Sequence, residues 1–260
     1  MPTSAPDATL EISGLTVRYR GLAALSNVSL RAESGTVVSV LGANGAGKST
    51  LLKAISGAVR SDGGSITLGG QRLDGRPAHL IARDGVFHLP EGRGLFRDLT
   101  VRENLLLAAR GRPDSALDAV FERFPLLRDR SNARSSSLSG GQQQILAVAR
   151  ILLMRSRLVL IDELSFGLAP LAVKGAFELL AELNRDLGST ALIVEQNVTR
   201  ALEVSSYTYV LKNGSIVLEG RPAELLSSRE LLFSYLGAES QAQITDAPGD
   251  ARSATERRNA

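Results

Sequence analysis

The 260-residue sequence has no cysteine and no tryptophan, and only 4% of its residues are aromatic. Without cysteine there can be no disulfide, thiolate metal site or cysteine nucleophile, which fits a reducing compartment. With so few rings, the core must be aliphatic. An excess of one charge is also missing: 30 Lys and Arg against 27 Asp and Glu leave a net +3. The basic residues are scattered, so no nucleic acid is expected as a partner. No apolar run reaches the 18 residues or so that a membrane helix needs; the best, ILAVARILLM at 145–154, carries Arg150. The opening MPTSAPDATL has neither the basic nor the apolar region of a signal peptide. The expectation is a chain soluble on its own, whose membrane role would come through a partner.

What is present has a clear order. Strand-like segments fall at 15–19, 27–32, 36–41 and 65–69, followed by a stretch of helical periodicity from about 95 to 154. Within that stretch 101–111, 114–124 and 138–154 read as helices. Strand signals return at 157–162, 189–195, 207–212 and 215–220, with a helix at 171–188, and the Lys-Asn-Gly at 212–214 marks a hairpin turn. This alternation predicts an α/β fold: a mostly parallel sheet flanked by helices, with the helical middle as an inserted subdomain. The domain is expected to span 10–237, between a flexible N-terminus (1–9) and a polar, aperiodic tail (239–260) expected to be disordered.

VVSVLGANGAGKST is a buried strand, a glycine-rich loop and a helix start. It matches G-x-x-x-x-G-K-[ST] at Gly42, Gly47, Lys48 and Ser49. The loop residues Gly42, Ala43, Asn44, Gly45, Ala46 and Gly47 would turn their N–H groups toward a β-phosphate, with a side chain at Gly45 or Gly47 crowding it. Lys48 would reach the β/γ oxygens, Ser49 would ligate Mg²⁺ and Thr50 would help hold the α-phosphate. Downstream, the apolar run RLVLIDE ends in Asp162 and Glu163. Asp162 is placed to hold the Mg²⁺ water shell. Glu163, one residue on, is expected to face another neighbour, where it could accept a proton from water.

LSGGQQQILAVARILLM, 138–154, poses a different problem. Ile145, Val148, Ala149 and Leu152 repeat at helical spacing behind Ser139, Gly140 and Gly141. A helix N-terminus with bare N–H groups favours an anion, yet no lysine adjoins these glycines. Together with the phosphate loop and acid pair, LSGGQ makes residues 10–237 resemble the ATP-binding cassette (ABC) superfamily. The resemblance implies that two cassettes meet head to tail. Leu138, Ser139, Gly140, Gly141 and Gln142 would then read the γ-phosphate of ATP bound to the partner cassette, and ATP would favour the closed dimer. It further implies adenine stacking on Tyr19, γ-phosphate contact through Glu91, a switch role for Gln196, and Ser165 and Gly167 of SFGLAP at the dimer seam.

Most ABC proteins carry Gln where Glu91 stands and His where Gln196 stands. PEGRGLF (90–96), GLAP (167–170) and VEQN (194–197) resemble instead the ATP-binding subunits of branched-chain (hydrophobic) amino acid importers. The resemblance implies an ATP-hydrolysing, energy-coupling subunit, peripheral on the cytoplasmic side of the inner membrane. Its partners would be a second cassette, identical or paralogous, integral-membrane permeases and, indirectly, a solute-binding protein. A groove lip with Leu95, Phe96 and Leu99 would receive the permease. The alternatives are a urea/amide-type importer ATPase and a soluble, non-transport ABC ATPase. The family usually has Pro after the acid pair; here Leu164 stands there, which is expected to loosen the placement of Glu163.

Overall fold

The computed structural model describes residues 7–228 except 110 and 166, together with 234 and 236. The tail at 239–260 and residues 1–6 lie outside them. Residues 7–9, expected to be flexible, are tied down: Asp7 accepts the Thr9 N–H and hydroxyl at 2.9 and 2.7 Å, and Ala8 is buried.

The chain opens with β1 (Leu10–Tyr19) and β2 (Leu22–Ala32), a long antiparallel pair, and enters β3 (Val37–Leu41). Then come α1 (Lys48–Ile55), β4 (Gly63–Leu68), β5 (Gln71–Arg72), α2 (Ala78–Arg83) and β6 (Val86–Leu89). The helical insertion follows as α3 (Val101–Ala109), α4 (Asp114–Arg123), α5 (Pro125–Asp129) and α6 (Gly140–Met154). The chain then returns through β7 (Leu158–Asp162), α7 (Pro170–Leu187), β8 (Thr190–Glu195), α8 (Val198–Val204), β9 (Tyr207–Lys212), β10 (Ser215–Gly220) and α9 (Pro222–Ser227).

Two sheets result. One is four-stranded in the order β2-β1-β4-β5 with antiparallel pairings, and the other is six-stranded in the order β10-β9-β3-β8-β7-β6. In the larger sheet every neighbouring pair is parallel except β9 with β10. The continuous apolar runs of β3, β7 and β8 follow from burial on both faces. Alternate residues divide between two cores: Val38, Val40, Leu158 and Leu160 pack with α1 under the smaller sheet. Val37, Leu41, Val159 and Ile161 pack against Phe177 and Leu180 of α7.

A third core belongs to the helical insertion, and α6 joins it to the second. Its Ala147, Val148 and Ile151 face the sheet, while Leu146, Ala149 and Leu153 face α3 and α4. A helix buried on two sides is apolar nearly all round, which is why its sequence reads so hydrophobic. The insertion's first helix starts at Val101, as expected. Residues 96–100 are held by Asn104, fully buried, which accepts the Phe96 N–H and donates to the Phe96 and Thr100 carbonyls.

The edge strand β6 and the helix α2 carry too few residues for a periodic signal, and neither is expected from the pattern. The hairpin turn is as expected: Asn213 and Gly214 have φ of 49° and 80°, the left-handed pair that a tight hairpin favours. Among the described residues, no helix is long and apolar enough to cross a membrane.

Candidate functional site

The C-terminal ends of β3, β7 and β8 deliver three loops to one edge of the larger sheet, the usual place for a ligand in an open α/β sheet. After β3 the loop turns on an Ala46 N–H bond to the Ala43 carbonyl at 3.1 Å. Gly47, at φ 108°, then caps α1. A Cβ at Gly47 would lie 2.7 Å from the Ala24 carbonyl oxygen, and one at Gly42 would lie 2.5 Å from that of Leu211. The protein's own backbone therefore already requires glycine at 47, before any bound phosphate. At Gly45, φ 78°, a Cβ would meet nothing within 4 Å; what demands glycine there is the left-handed backbone.

Lys48 is 5% exposed, and its Nζ donates to the carbonyls of Gly42 and Ala43 at 2.8 and 3.2 Å. The Ser49 hydroxyl donates to Asp162 Oδ1 at 3.1 Å. Burial pushes the Asp162 carboxyl above its usual range, and the Ser49 hydroxyl opposes that rise.

Glu163 meets a neighbour other than Asp162's, as expected, but not through strand alternation. The strand ends at Asp162, and Glu163 takes φ 51°, a left-handed turn that is uncommon outside glycine. The turn cancels the strand alternation and brings Glu163 back to the phosphate loop. Its Oε1 lies 3.4 Å from Lys48 Nζ and accepts from Gln196 Nε2 at 2.7 Å. The same Nε2 donates to Asn44 Oδ1 at 2.6 Å. The resulting pocket of about 440 Å³ is lined by Tyr19, Gly45, Thr50 and Glu91 along with these groups. Tyr19 is 44% exposed at its mouth, open enough for a planar ring to stack on it.

The turn after the acid pair is not loose, despite Leu164 in place of proline. Glu163 N–H bonds the Val194 carbonyl at 3.0 Å, and Leu164 is buried in the core beneath. Glu195, which the VEQN motif does not single out, pins the next residue. Its carboxylate accepts the Ser165 N–H at 3.0 Å and hydroxyl at 2.8 Å, and the Gln196 N–H at 3.2 Å. Burial raises its pKa against these hydrogen bonds. A fully buried acid ending an apolar strand was the available signal, since such a group must have local donors. Ser165 thus points into its own chain.

The signature residues stand apart from the pocket. Ser139 and Gln142 form a capping box: Ser139 Oγ accepts the Gln142 N–H at 3.4 Å and Gln142 Oε1 accepts the Ser139 N–H at 3.0 Å. Leu138 is buried in the helical core. Gly140 and Gly141 form the first turn of α6. The cation missing from the local sequence is supplied from elsewhere. The Nη2 of Arg93 lies 3.4 Å from where a Gly140 Cβ would be and donates to the carbonyl of Gly167 at 3.3 Å. Of the expected groove lip, Phe96 is half exposed and lines a groove of about 460 Å³ with Leu107 and Arg150, Leu99 is half-buried, and Leu95 packs into the cores on either side of α6.

The family profile described as ABC transporter matches residues 25–165. The chain is 39% identical over 232 residues to the high-affinity branched-chain amino acid transport ATP-binding protein BraG of Pseudomonas aeruginosa, an alignment covering 88% of this chain and 99% of that one. It is 34% identical to LivG of Salmonella typhimurium, covering 88% and 97%, and 37% identical to the probable LivF of Archaeoglobus fulgidus, covering 82% and 92%. Among solved structures, a nucleotide-free cassette of an ABC transporter superposes with a TM-score of 0.78 at 24% identity, covering 89% of this chain and all of that one, and shows the shared fold. A dimeric cassette in a post-hydrolysis state with ADP and Pi superposes at 0.73 with 25% identity, covering 82% and 98%. By its matched sequence, its two-sheet fold and its inserted helices, the chain belongs to the ABC transporter family and is one of that family's ATP-binding cassettes.

Proposed function

We propose that this chain binds and hydrolyses ATP, as the energy-coupling subunit of an importer for branched-chain or other hydrophobic amino acids. The carrying observation is convergence: Lys48, Glu163, Gln196 and the Ser49–Asp162 pair meet around one pocket beside the glycine-rich loop. The first turn of α6 stands outside that pocket. The cargo assignment rests on relatives at 34–39% identity named for branched-chain amino acid transport; the dimeric solved cassette supports a paired assembly.

Phosphoryl transfer to water requires alignment and charge stabilisation, not a covalent intermediate. Lys48 offers its charge to the β/γ oxygens from a buried position, where electrostatic help is stronger than at the surface. Glu163 accepts the proton of the attacking water, and Gln196, already hydrogen-bonded to Glu163, holds that water in line. Glu91 faces the same space and senses the γ-phosphate. Ser49 and Asp162 present a hydroxyl and a carboxylate, hard oxygen donors suited to a divalent cation completed by phosphate oxygens and water. Mg²⁺ held there would neutralise charge building on the β- and γ-phosphate oxygens. The N–H groups of Gly140 and Gly141 serve the nucleotide of a second cassette, and Gly167 lies on the same seam. On this reading the groove at Phe96 and Leu107 receives a permease segment and the chain sits at the cytoplasmic face of the membrane.

Glu163→Gln tests the assignment. The variant keeps the side chain's size and its acceptor toward Gln196 but cannot take a proton at neutral pH. Expected is a fall in kcat of about 10²–10⁴ with ATP still bound and an ATP-dependent dimer accumulating, read by phosphate release and by sedimentation. Near-normal turnover would move the general base elsewhere.

A further inference from the structure

Resting on the reading above, we infer that Arg93 is a positioning residue that locks the loop carrying Glu91 to the signature helix and to the loop after the acid pair. In this way the state of one nucleotide pocket sets the surface offered to the partner's nucleotide.

The backbone argues first. Gly92, Arg93 and Gly94 have φ of 79°, 74° and 54°, three left-handed residues in a row. Glycine would take that conformation at 93 without strain, so an arginine there is held by what its side chain does. Its guanidinium reaches two segments, α6 and the loop after the acid pair. Nη1 donates to Gln143 Oε1 at 2.9 Å, Nε to Gln144 Oε1 at 3.3 Å, and Nη2 to the Gly167 carbonyl at 3.3 Å. The acceptors are themselves fixed. Gln143 Nε2 donates to the Ser135 carbonyl at 3.0 Å, and Gln144 is buried.

A second contact runs the other way. Arg150, inside α6, donates from Nη1 to the Gly94 carbonyl at 2.6 Å, between the rings of Phe87 and Phe96 at 6.0 and 5.8 Å. The 91–94 loop and α6 are thus tied twice, once from each side. Helix stability does not account for Arg93, because a cation beside a helix N-terminus opposes the helix dipole. What the placement accomplishes is connection. Glu91, two residues away, lines the nucleotide pocket. Gly167 follows the acid pair, and Gln143 and Gln144 sit in the first turns of the signature helix. A lysine could not serve, since a single ammonium on a flexible stem cannot present the guanidinium's rigid fork to three acceptors.

The test uses the full chain carrying Glu163→Gln, with two measurements: ATP affinity at protein concentrations where it is monomeric, and the ATP concentration giving half-maximal dimer. Adding Arg93→Ala or Arg93→Lys should leave monomer affinity within about twofold. It should raise the half-maximal concentration about tenfold or more, the scale of one lost charge-assisted hydrogen bond. Gln143→Met, which removes an acceptor from the opposite side, should shift dimerisation in the same direction and keeps the test open if an Arg93 variant fails to fold. Dimerisation at the parent's ATP concentration in these variants would overturn the inference, as would an equal loss of monomer affinity. A parent that never dimerises with ATP would instead sink the assignment on which the inference rests, and the inference with it.

Discussion

Gln196 shows how one side chain changes the chemistry expected of the site. An amide donates and accepts hydrogen bonds but does not titrate between pH 5 and 8, as a histidine would. Its Nε2 already bridges Glu163 and Asn44, so on the proposed reading its work is orientation, which an imidazole N–H can also perform. Gln196→His should therefore keep kcat within about tenfold, well short of the ~10²–10⁴ lost with a general acid or base. The wild-type rate should show no pKa from this position, while the variant gains a titration near the histidine range. Turnover abolished with nucleotide still bound would count against the role. The residue scale also shows what local pattern could not convey. Glu163 was legible as a carboxylate after a strand, but its facing was not, because a single left-handed residue reverses the alternation.

Among the elements, the short edge strand β6 carries a titration that the fold resists. His88 Nδ1 lies 3.1 Å from the Ser56 hydroxyl, while its Nε2 is buried with no hydrogen-bond partner. Burial, reinforced by Lys53, lowers its pKa from 6.5 to about 4. The folded state thus favours the neutral ring. The stabilisation is complete above the unfolded pKa near 6.5 and is lost as pH falls toward about 4, amounting to roughly 3 kcal/mol. His88→Asn should flatten the acid side of the stability profile. Between pH 7 and pH 4.5 its Tm should fall by roughly 5–10 °C less than that of the wild type, measured by thermal melts across that range. Parallel profiles would place the acid-labile group elsewhere. The long elements were visible in the sequence because their burial repeats with a fixed period. β6 and α2 were not, because four or six residues leave no period to read.

At the scale of the molecule, the proposed reading divides one nucleotide site between two chains, the pocket of one and the first turn of α6 of the other. Mass action then links nucleotide to assembly. With the Glu163→Gln chain, ATP at about 100 times its Kd should stabilise by about 2.7 kcal/mol through binding alone, and dimerisation adds a further term that grows with protein concentration. Expected is a Tm that rises with protein concentration when ATP is present and stays flat without it, measured by calorimetry over a hundredfold range. A Tm independent of concentration in ATP would mean that the nucleotide closes no dimer.

Phosphate loop, acid pair, signature cap and hairpin turn could all be read from the sequence alone, because each is a local arrangement whose spacing carries its chemistry. Tertiary structure decided what joins them. Gln196 reaches Glu163 across 33 positions, and Arg93 reaches Gly167 across 74. Glu195 pins Ser165 from a different strand. Such contacts depend on the parallel order of β3, β8 and β7 and on the two-sided packing of α6. No window of sequence contains those relations, since burial and strand neighbours are properties of the folded chain.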